Sequence, residues 1–415
     1  LSMWCARSPT CCRLSVPGTM SAHSLKKAQT ATACEPLGPA NSLGRIANLL
    51  DIAPFHRIQR EHMTAVYYTG SGQLELRPCE PVPPGPSDVR VEVVYGGVCG
   101  SDLSIFRGHR DERMRLPSII GHEMSGSIVE VGTRVEGWSA GDRVSVMPYD
   151  TCGTCGACDQ GHFHICYNMV FFGVEKAGAF QSSWTVPAHT LYKIPDNVSL
   201  DVAALVEPMS VAVHAVRTSR LKEEDFAVVL GGGPIGLLTA LVATHRGGRV
   251  LVSDVDPFRV DFARDMGLDA LDPNADDLLE TVLSATTRAG ADIVFEASGS
   301  QAAVASMSEI LCSRGLMLVI AIHADPAPID LKRCFMRELR LQAVRCYEHQ
   351  DFCDAIDLIA SGRDPLERLI TSRVPAEKLP HTFVRMENGG PDMKTLLTIG
   401  EDTLKTNLSL SDRTS

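Results

Sequence analysis

The string VVLGGGPIG, residues 228–236, narrows the fold more than any other stretch of the chain. An apolar run ends in Gly231, Gly233 and Gly236, in G-x-G-x-x-G spacing, and a helical apolar pattern follows. Gly231 permits the tight turn, Gly233 lets the backbone approach a pyrophosphate, and Gly236 lets helix and strand pack closely. Pro234 lacks an N–H and suits the first helical turn. The helix N-terminus then offers free N–H groups and partial positive charge to phosphates. The next strand ends in Asp254, 18 residues past Gly236. A carboxylate there accepts bonds from an adenosine ribose 2′-OH and repels a 2′-phosphate, which favours NAD over NADP. Asp256 could share that role. S-adenosylmethionine binding is a rival reading, and a bare βα turn with a helix-capping Asp is the plainest one.

Around this turn, strands alternate with helices. RVLVSDVDPFRVDFARDMG repeats strand then helix, and ADIVFEASGS and GLMLVIAI add two strands. That alternation predicts a parallel, doubly wound sheet over residues 203–343. Residues 63–202 read differently: short β runs cut by Gly and Pro, such as DVRVEVVYGGVCG and GSIVEVGTRV, predict an antiparallel β-rich domain. After about Val344 the chain leaves the parallel sheet, and DFCDAIDLIASG has an amphipathic helical pattern. Residues 1–62 hold seven Lys or Arg against three Asp or Glu, without clear periodicity. They read as a disordered or non-native extension, with Met63 as the functional start; a transit peptide is the alternative. Residues 401–415 read as a polar, frayed tail.

The formal net charge of −11 argues against a nucleic-acid or anionic-membrane binder. No apolar run reaches the ~20 residues of a membrane helix. The 14 cysteines sit in a long chain without a signal-peptide pattern, so they read as reduced thiols in a cytoplasmic protein rather than a disulfide framework.

Cys152, Cys155, Cys158 and Cys166 follow C-x2-C-x2-C-x7-C. Four thiolates around zinc form a closed tetrahedral shell with no place for substrate, which adds folding energy rather than catalysis. An iron–sulfur cluster is the rival, although the bacterial ferredoxin spacing differs at the last interval. His162 and His164 are spare donors.

GGVCGSD and GHEMSG, about twenty residues apart, offer Cys99, Ser101, Asp102, His122 and Glu123. Thiolate, imidazole and carboxylate make a three-donor zinc shell with a fourth position open. Taken in order, GVCGSD, GHE, the four cysteines, VEPMSVAVHAV and GGGPIG resemble the zinc-dependent medium-chain alcohol dehydrogenases, in their polyol (sorbitol), butanediol and threonine dehydrogenase branch. The resemblance spans roughly Met63 to Gly400.

It implies a GroES-like β-rich catalytic domain, formed by residues 63–202 and 344–400, and a Rossmann coenzyme domain. It also implies two zinc ions per subunit, one catalytic and one structural, NAD, a small alcohol substrate, and a homotetramer or homodimer. Carried over, Cys99 and His122 bind the catalytic zinc, and Glu123 is a direct or exchangeable ligand. Glu207 holds the zinc water or replaces Glu123, and Asp102 orients the histidine. Ser101 takes the substrate proton. Gly231, Gly233, Pro234, Ile235, Gly236, Asp254 and Arg259 form the coenzyme site. Arg345 lies where sorbitol dehydrogenases contact substrate hydroxyls, or it has an ordinary surface role. Ile105, Phe106 and Phe171 are expected near the substrate. Many relatives carry a relay His where this chain has Ser104, so Ser104 with water, or His109, would pass the proton outward.

The implied reaction takes hydride from a secondary alcohol, whether a polyol, a vicinal diol or a hydroxy-amino acid, and gives it to NAD, leaving a ketone. The competing reading is an NAD(H)-binding zinc protein without turnover. A nucleic-acid module built on the four cysteines lacks any Lys or Arg between residues 150 and 166.

Overall fold

The computed structural model describes residues 63–399. The extension read over 1–62 and the tail read over 401–415 lie outside the described residues.

The strand Asp88–Gly97 has the period-two pattern its sequence dictates. Val89, Val91 and Val93 are buried, while Arg90 and Glu92 face outward and are half-buried. It is the hub of a seven-stranded sheet. Glu123–Val131 lies antiparallel on one side, followed by Arg143–Val146 and Leu191–Lys193. Ser183–Pro187 also pairs with the hub. On the other side Lys394–Thr398 runs antiparallel to the hub and parallel to Ile370–Pro375. The last described strand is therefore built into the first large sheet, opposite Gly97. A smaller sheet joins Thr64–Gly70 to Gln73–Pro78 and Ser118–Ile119.

Between these parts of the chain stands a six-stranded, all-parallel sheet. Counted along the chain, its strands lie in the order 3-2-1-4-5-6, from Asp269–Leu271 at one edge to Arg340–Ala343 at the other. This is the doubly wound Rossmann order. Its first strand, Phe226–Leu230, is buried at every position, as a central parallel strand covered on both faces must be. The β-rich unit and the parallel sheet together bear out the expected fold class.

The helix Val206–Ser219 joins the two. Eleven of its 14 residues are buried, so it lies within the core rather than on a surface. It packs against the helix His349–Ala360 within one apolar cluster running from Tyr149 to Phe295 and Phe352.

Nine described cysteines carry free thiols. Among the described residues no helix is long and apolar enough to cross a membrane.

Candidate active site

Cys99 ends the hub strand's extension and precedes the short helix Gly100–Phe106. That turn is fixed by Asp102, whose Oδ2 accepts the Cys99 N–H at 2.9 Å. The other oxygen, Oδ1, makes no hydrogen bond and lies 3.5 Å from His122 Nδ1. Asp102 thus braces both residues. His122 Nε2 lies 3.3 Å from Ser101 Oγ. Sγ of Cys99, a ring nitrogen of His122 and a carboxylate oxygen of Glu123 lie within 4.8 Å of one another.

The three donors suit a divalent cation. Burial pulls the His122 pKa down, but the carboxylate of Asp102 and the thiol of Cys99 more than reverse this, and it stands well above its ordinary value. The surroundings therefore favour positive charge at this imidazole, whether a proton or a metal supplies it. A sulfur, a nitrogen and an oxygen donor leave one tetrahedral position for another group.

Glu123 does not stand alone. Lys394 Nζ donates to both its oxygens, at 2.7 and 2.8 Å, and to the Val98 carbonyl at 3.1 Å. Both residues are buried. Burial opposes the lysine's charge, yet Glu123, Cys99 and Glu207 hold its pKa above the ordinary value. The strand register explains the meeting: Gly97 sits opposite Glu123 on one side and Leu396 on the other. A Cβ on Gly97 would fall 2.0 Å from Glu123 Oε2, so only glycine leaves room for the carboxylate.

Glu207 enters from the first turn of Val206–Ser219. Its Oε1 accepts a 2.9 Å bond from the Tyr347 hydroxyl. Burial, with Glu123 nearby, pushes its pKa up to about 7, against the opposing pull of His122. Phe171 lies against the His122 ring at 5.4 Å between centroids. Ile105 and Phe106, expected near the substrate, instead pack in the core with Tyr68 and Phe383. Short apolar residues after a catalytic turn fit both readings, and here core packing wins. Arg345 is exposed and reaches Met169 Sδ, at 3.6 Å. The Ser104 carbonyl accepts the His109 N–H, and His109 is exposed.

The four-cysteine segment closes on itself. Successive sulfur–sulfur distances are 3.5, 3.8 and 3.5 Å. Disulfides are excluded, since they need about 2.05 Å. A zinc tetrahedron with bonds of about 2.3 Å has edges of about 3.8 Å, so the thiols fit that ion. The Thr154 N–H and the Asn168 amide pull the Cys152 thiol down to about 5. His164 turns away from the sulfurs and packs on His214, with ring centroids 4.9 Å apart. His214 in turn bonds Asp351 at 2.8 Å.

At the glycine turn, Gly231 has φ +106°, a left-handed conformation that glycine adopts freely. A Cβ on Gly236 would sit 1.8 Å from the Gly231 carbonyl. Gly233 caps the helix Pro234–His245, with Pro234 and Ile235 in its first turn. Asp254 accepts N–H bonds from Gly232 at 2.6 Å and Asp256 at 2.8 Å. Arg259 lies 3.6 Å from Asp254. Asp256 caps the helix Pro257–Asp265.

Sequence reasoning missed Lys394, Tyr347 and Glu296. Glu296, wholly buried, accepts N–H bonds from Ser298 and Gly299 and faces His323 at 2.8 Å, holding the loop that packs on Gly231. Lys394 did leave a signal: it is a lone charge in the apolar run MKTLLTI.

Comparison with known proteins follows the same division. Residues 85–196 match the family described as alcohol dehydrogenase GroES-like domain, and residues 234–361 match zinc-binding dehydrogenase. A 2-dehydro-3-deoxy-L-galactonate 5-dehydrogenase of Pseudoalteromonas atlantica is 44% identical over 335 residues, covering 81% of this chain and 98% of that one. An L-threonine 3-dehydrogenase of Anaeromyxobacter is 33% identical, covering 74% and 91%. The crystal structure of 2R,3R-butanediol dehydrogenase from Bacillus subtilis superposes with a TM-score of 0.75 at 28% identity, covering 81% and 99%.

Proposed function

The chain belongs to the zinc-dependent medium-chain alcohol dehydrogenases, and from that premise we propose that it oxidises a secondary alcohol to a ketone with NAD as hydride acceptor. The substrate class we propose is a polyol, a vicinal diol or a hydroxy-amino acid. The protein is a zinc enzyme acting on alcohols, with zinc and NAD as its cofactors.

We assign the catalytic zinc to Cys99, His122 and Glu123, and the structural zinc to Cys152, Cys155, Cys158 and Cys166. Zinc at the first set supplies Lewis acidity that lowers the pKa of an alcohol hydroxyl, as it lowers that of water from about 16 to about 7. Asp102 fixes the His122 ring and stabilises charge on it. Ser101 Oγ, beside His122 Nε2, is placed to receive the hydroxyl proton. Lys394, which donates to both Glu123 oxygens, would offset that carboxylate's charge beside the metal, and Glu207 stands as the second carboxylate. Gly231–Gly236 cradles the coenzyme pyrophosphate, Asp254 takes the adenosine ribose, and Arg259 flanks it. Arg345 is assigned to substrate hydroxyls.

The observation carrying this reading is the convergence of three unlike donors from two separated motifs. It is tested by an NAD-coupled screen of diols, polyols and hydroxy-amino acids, with zinc counted per subunit. NADH formation with two zinc atoms per chain is expected. One wholly sulfur-bound atom per native chain, with no turnover, would overturn it.

A further inference from the structure

Glu296 ends the strand Ala291–Glu296 and is wholly buried. That strand lies between Phe226–Leu230 and Leu311–Val319, with Glu296 opposite Leu230 on one side and Val319 on the other. In the order 3-2-1-4-5-6 it is the fourth strand, beside the first, where the strand order reverses. A dinucleotide lies across such a reversal, outside the carboxyl ends of the strands. Asp254, assigned to the adenosine ribose, directly follows the second strand, Arg249–Ser253. The other half of the coenzyme therefore falls on the side of the fourth and fifth strands.

Glu296 ties down the loops on that side. Its Oε1 accepts the Ser298 N–H at 2.9 Å, the Ser298 hydroxyl at 2.6 Å and the Gly299 N–H at 2.8 Å. Its Oε2 faces His323 Nε2 at 2.8 Å. A carboxylate only accepts, so that nitrogen carries the hydrogen. His323 Nδ1 is buried with no hydrogen-bond partner among the described residues. The Glu296 carbonyl accepts the N–H groups of Ile320 and Ala321, at 2.8 and 3.1 Å. One residue fixes both the loop after its own strand and the loop after the fifth. The first of these loops walls the crevice. The Ala297 N–H donates to the Leu230 carbonyl at 2.9 Å, and a Cβ on Gly231 would fall 2.8 Å from the Ser298 nitrogen. Bonds to a charged acceptor are the strong ones, and loops held before a ligand arrives cost less to order when it binds.

We propose that Glu296, bridged to His323, is a positioning residue for the coenzyme: without touching it, the pair holds the crevice wall that receives its nicotinamide half. The proposal rests on the coenzyme-site reading of Gly231–Gly236 and Asp254.

The test measures binding of NADH, from the fluorescence of the bound coenzyme, and of AMP, by calorimetry, to the zinc-loaded enzyme. Glu296→Ala is expected to weaken NADH by about 10- to 100-fold, the range of lost charge-assisted bonds. AMP, which carries only the adenosine half, should change by less than about threefold. Glu296→Gln keeps an acceptor for Ser298 and Gly299 and should restore part of the loss. Zinc content and melting temperature identify a variant that fails to fold. In that case His323→Leu, which removes one end of the bridge, decides, with His323→Gln as its rescue.

A wild type that binds neither NADH nor AMP overturns the coenzyme reading, and the proposal with it. If the wild type binds both, and folded Glu296→Ala or His323→Leu holds NADH as tightly, the proposal alone falls. Equal losses for NADH and AMP also overturn it, since they would make Glu296 a general support of the sheet.

Discussion

The four-cysteine segment and the site at Cys99 follow opposite plans. In the first, all four sulfurs come from residues 152–166 and face one another at 3.5–3.8 Å. In the second, each donor is of a different kind. Its carboxylate is held by a lysine 271 residues away, and a second carboxylate is held by a tyrosine 140 residues further along than itself. Identical soft donors at short spacing saturate an ion and can be assembled locally. Mixed donors with a position left open need the rest of the protein to hold each one, because no local loop fixes an unsaturated shell. One plan yields a staple, the other a place for chemistry.

The sharpest way to break this contrast is Cys99→Ala. Turnover should fall by at least about 10³-fold, the scale of lost Lewis-acid stabilisation, while one zinc remains per chain and the fold persists. Steady-state kinetics with metal analysis check it, and near-wild-type turnover would erase the distinction. Next comes Lys394→Met, which leaves Glu123 charged and unpaired in the interior. Loss of one partner of such a pair costs about 3–5 kcal/mol, measurable by urea unfolding. Adding Glu123→Gln to the same chain should recover most of that.

Cys155→Ala sharpens the comparison from the other side. Zinc should drop by one per chain and the melting temperature should fall, while turnover of the folded fraction changes less than about tenfold, or 1.4 kcal/mol. The smallest effect is expected from Tyr347→Phe. It removes one donor from the buried Glu207 at a cost of about 1–3 kcal/mol. Weaker retention of cobalt at the Cys99 site, with an altered visible spectrum, would show that Tyr347 acts through Glu207; an unchanged spectrum would make it a packing residue.

The same contrast explains what the sequence could disclose. The glycine turn and the four cysteines each lie within one short string, and Asp254 follows the turn at the interval of one helix and one strand, so spacing alone carries their geometry. Cys99, Ser101, Asp102, His122 and Glu123 were also nameable, because two short strings hold them. Tyr347 and Glu296 were not, and Lys394 showed only as a lone charge in an apolar run. Lys394 matters only because its strand pairs with Asp88–Gly97, and register across a sheet is set by the whole fold. Ile105 and Phe106 erred the other way, since apolar residues near a reactive turn say nothing about which face they cover.

The placement of Lys394 in the last described strand has a consequence for biosynthesis. A ribosome delivers Cys99, His122 and Glu123 long before it delivers residue 394, so the lysine that pairs with Glu123 in the folded protein arrives last. Until that strand pairs with Asp88–Gly97, burying Glu123 would leave its charge without the lysine that holds it in the folded protein. The order of emergence thus makes the Lys394–Glu123 pair one of the last long-range contacts of this sheet that the chain can complete.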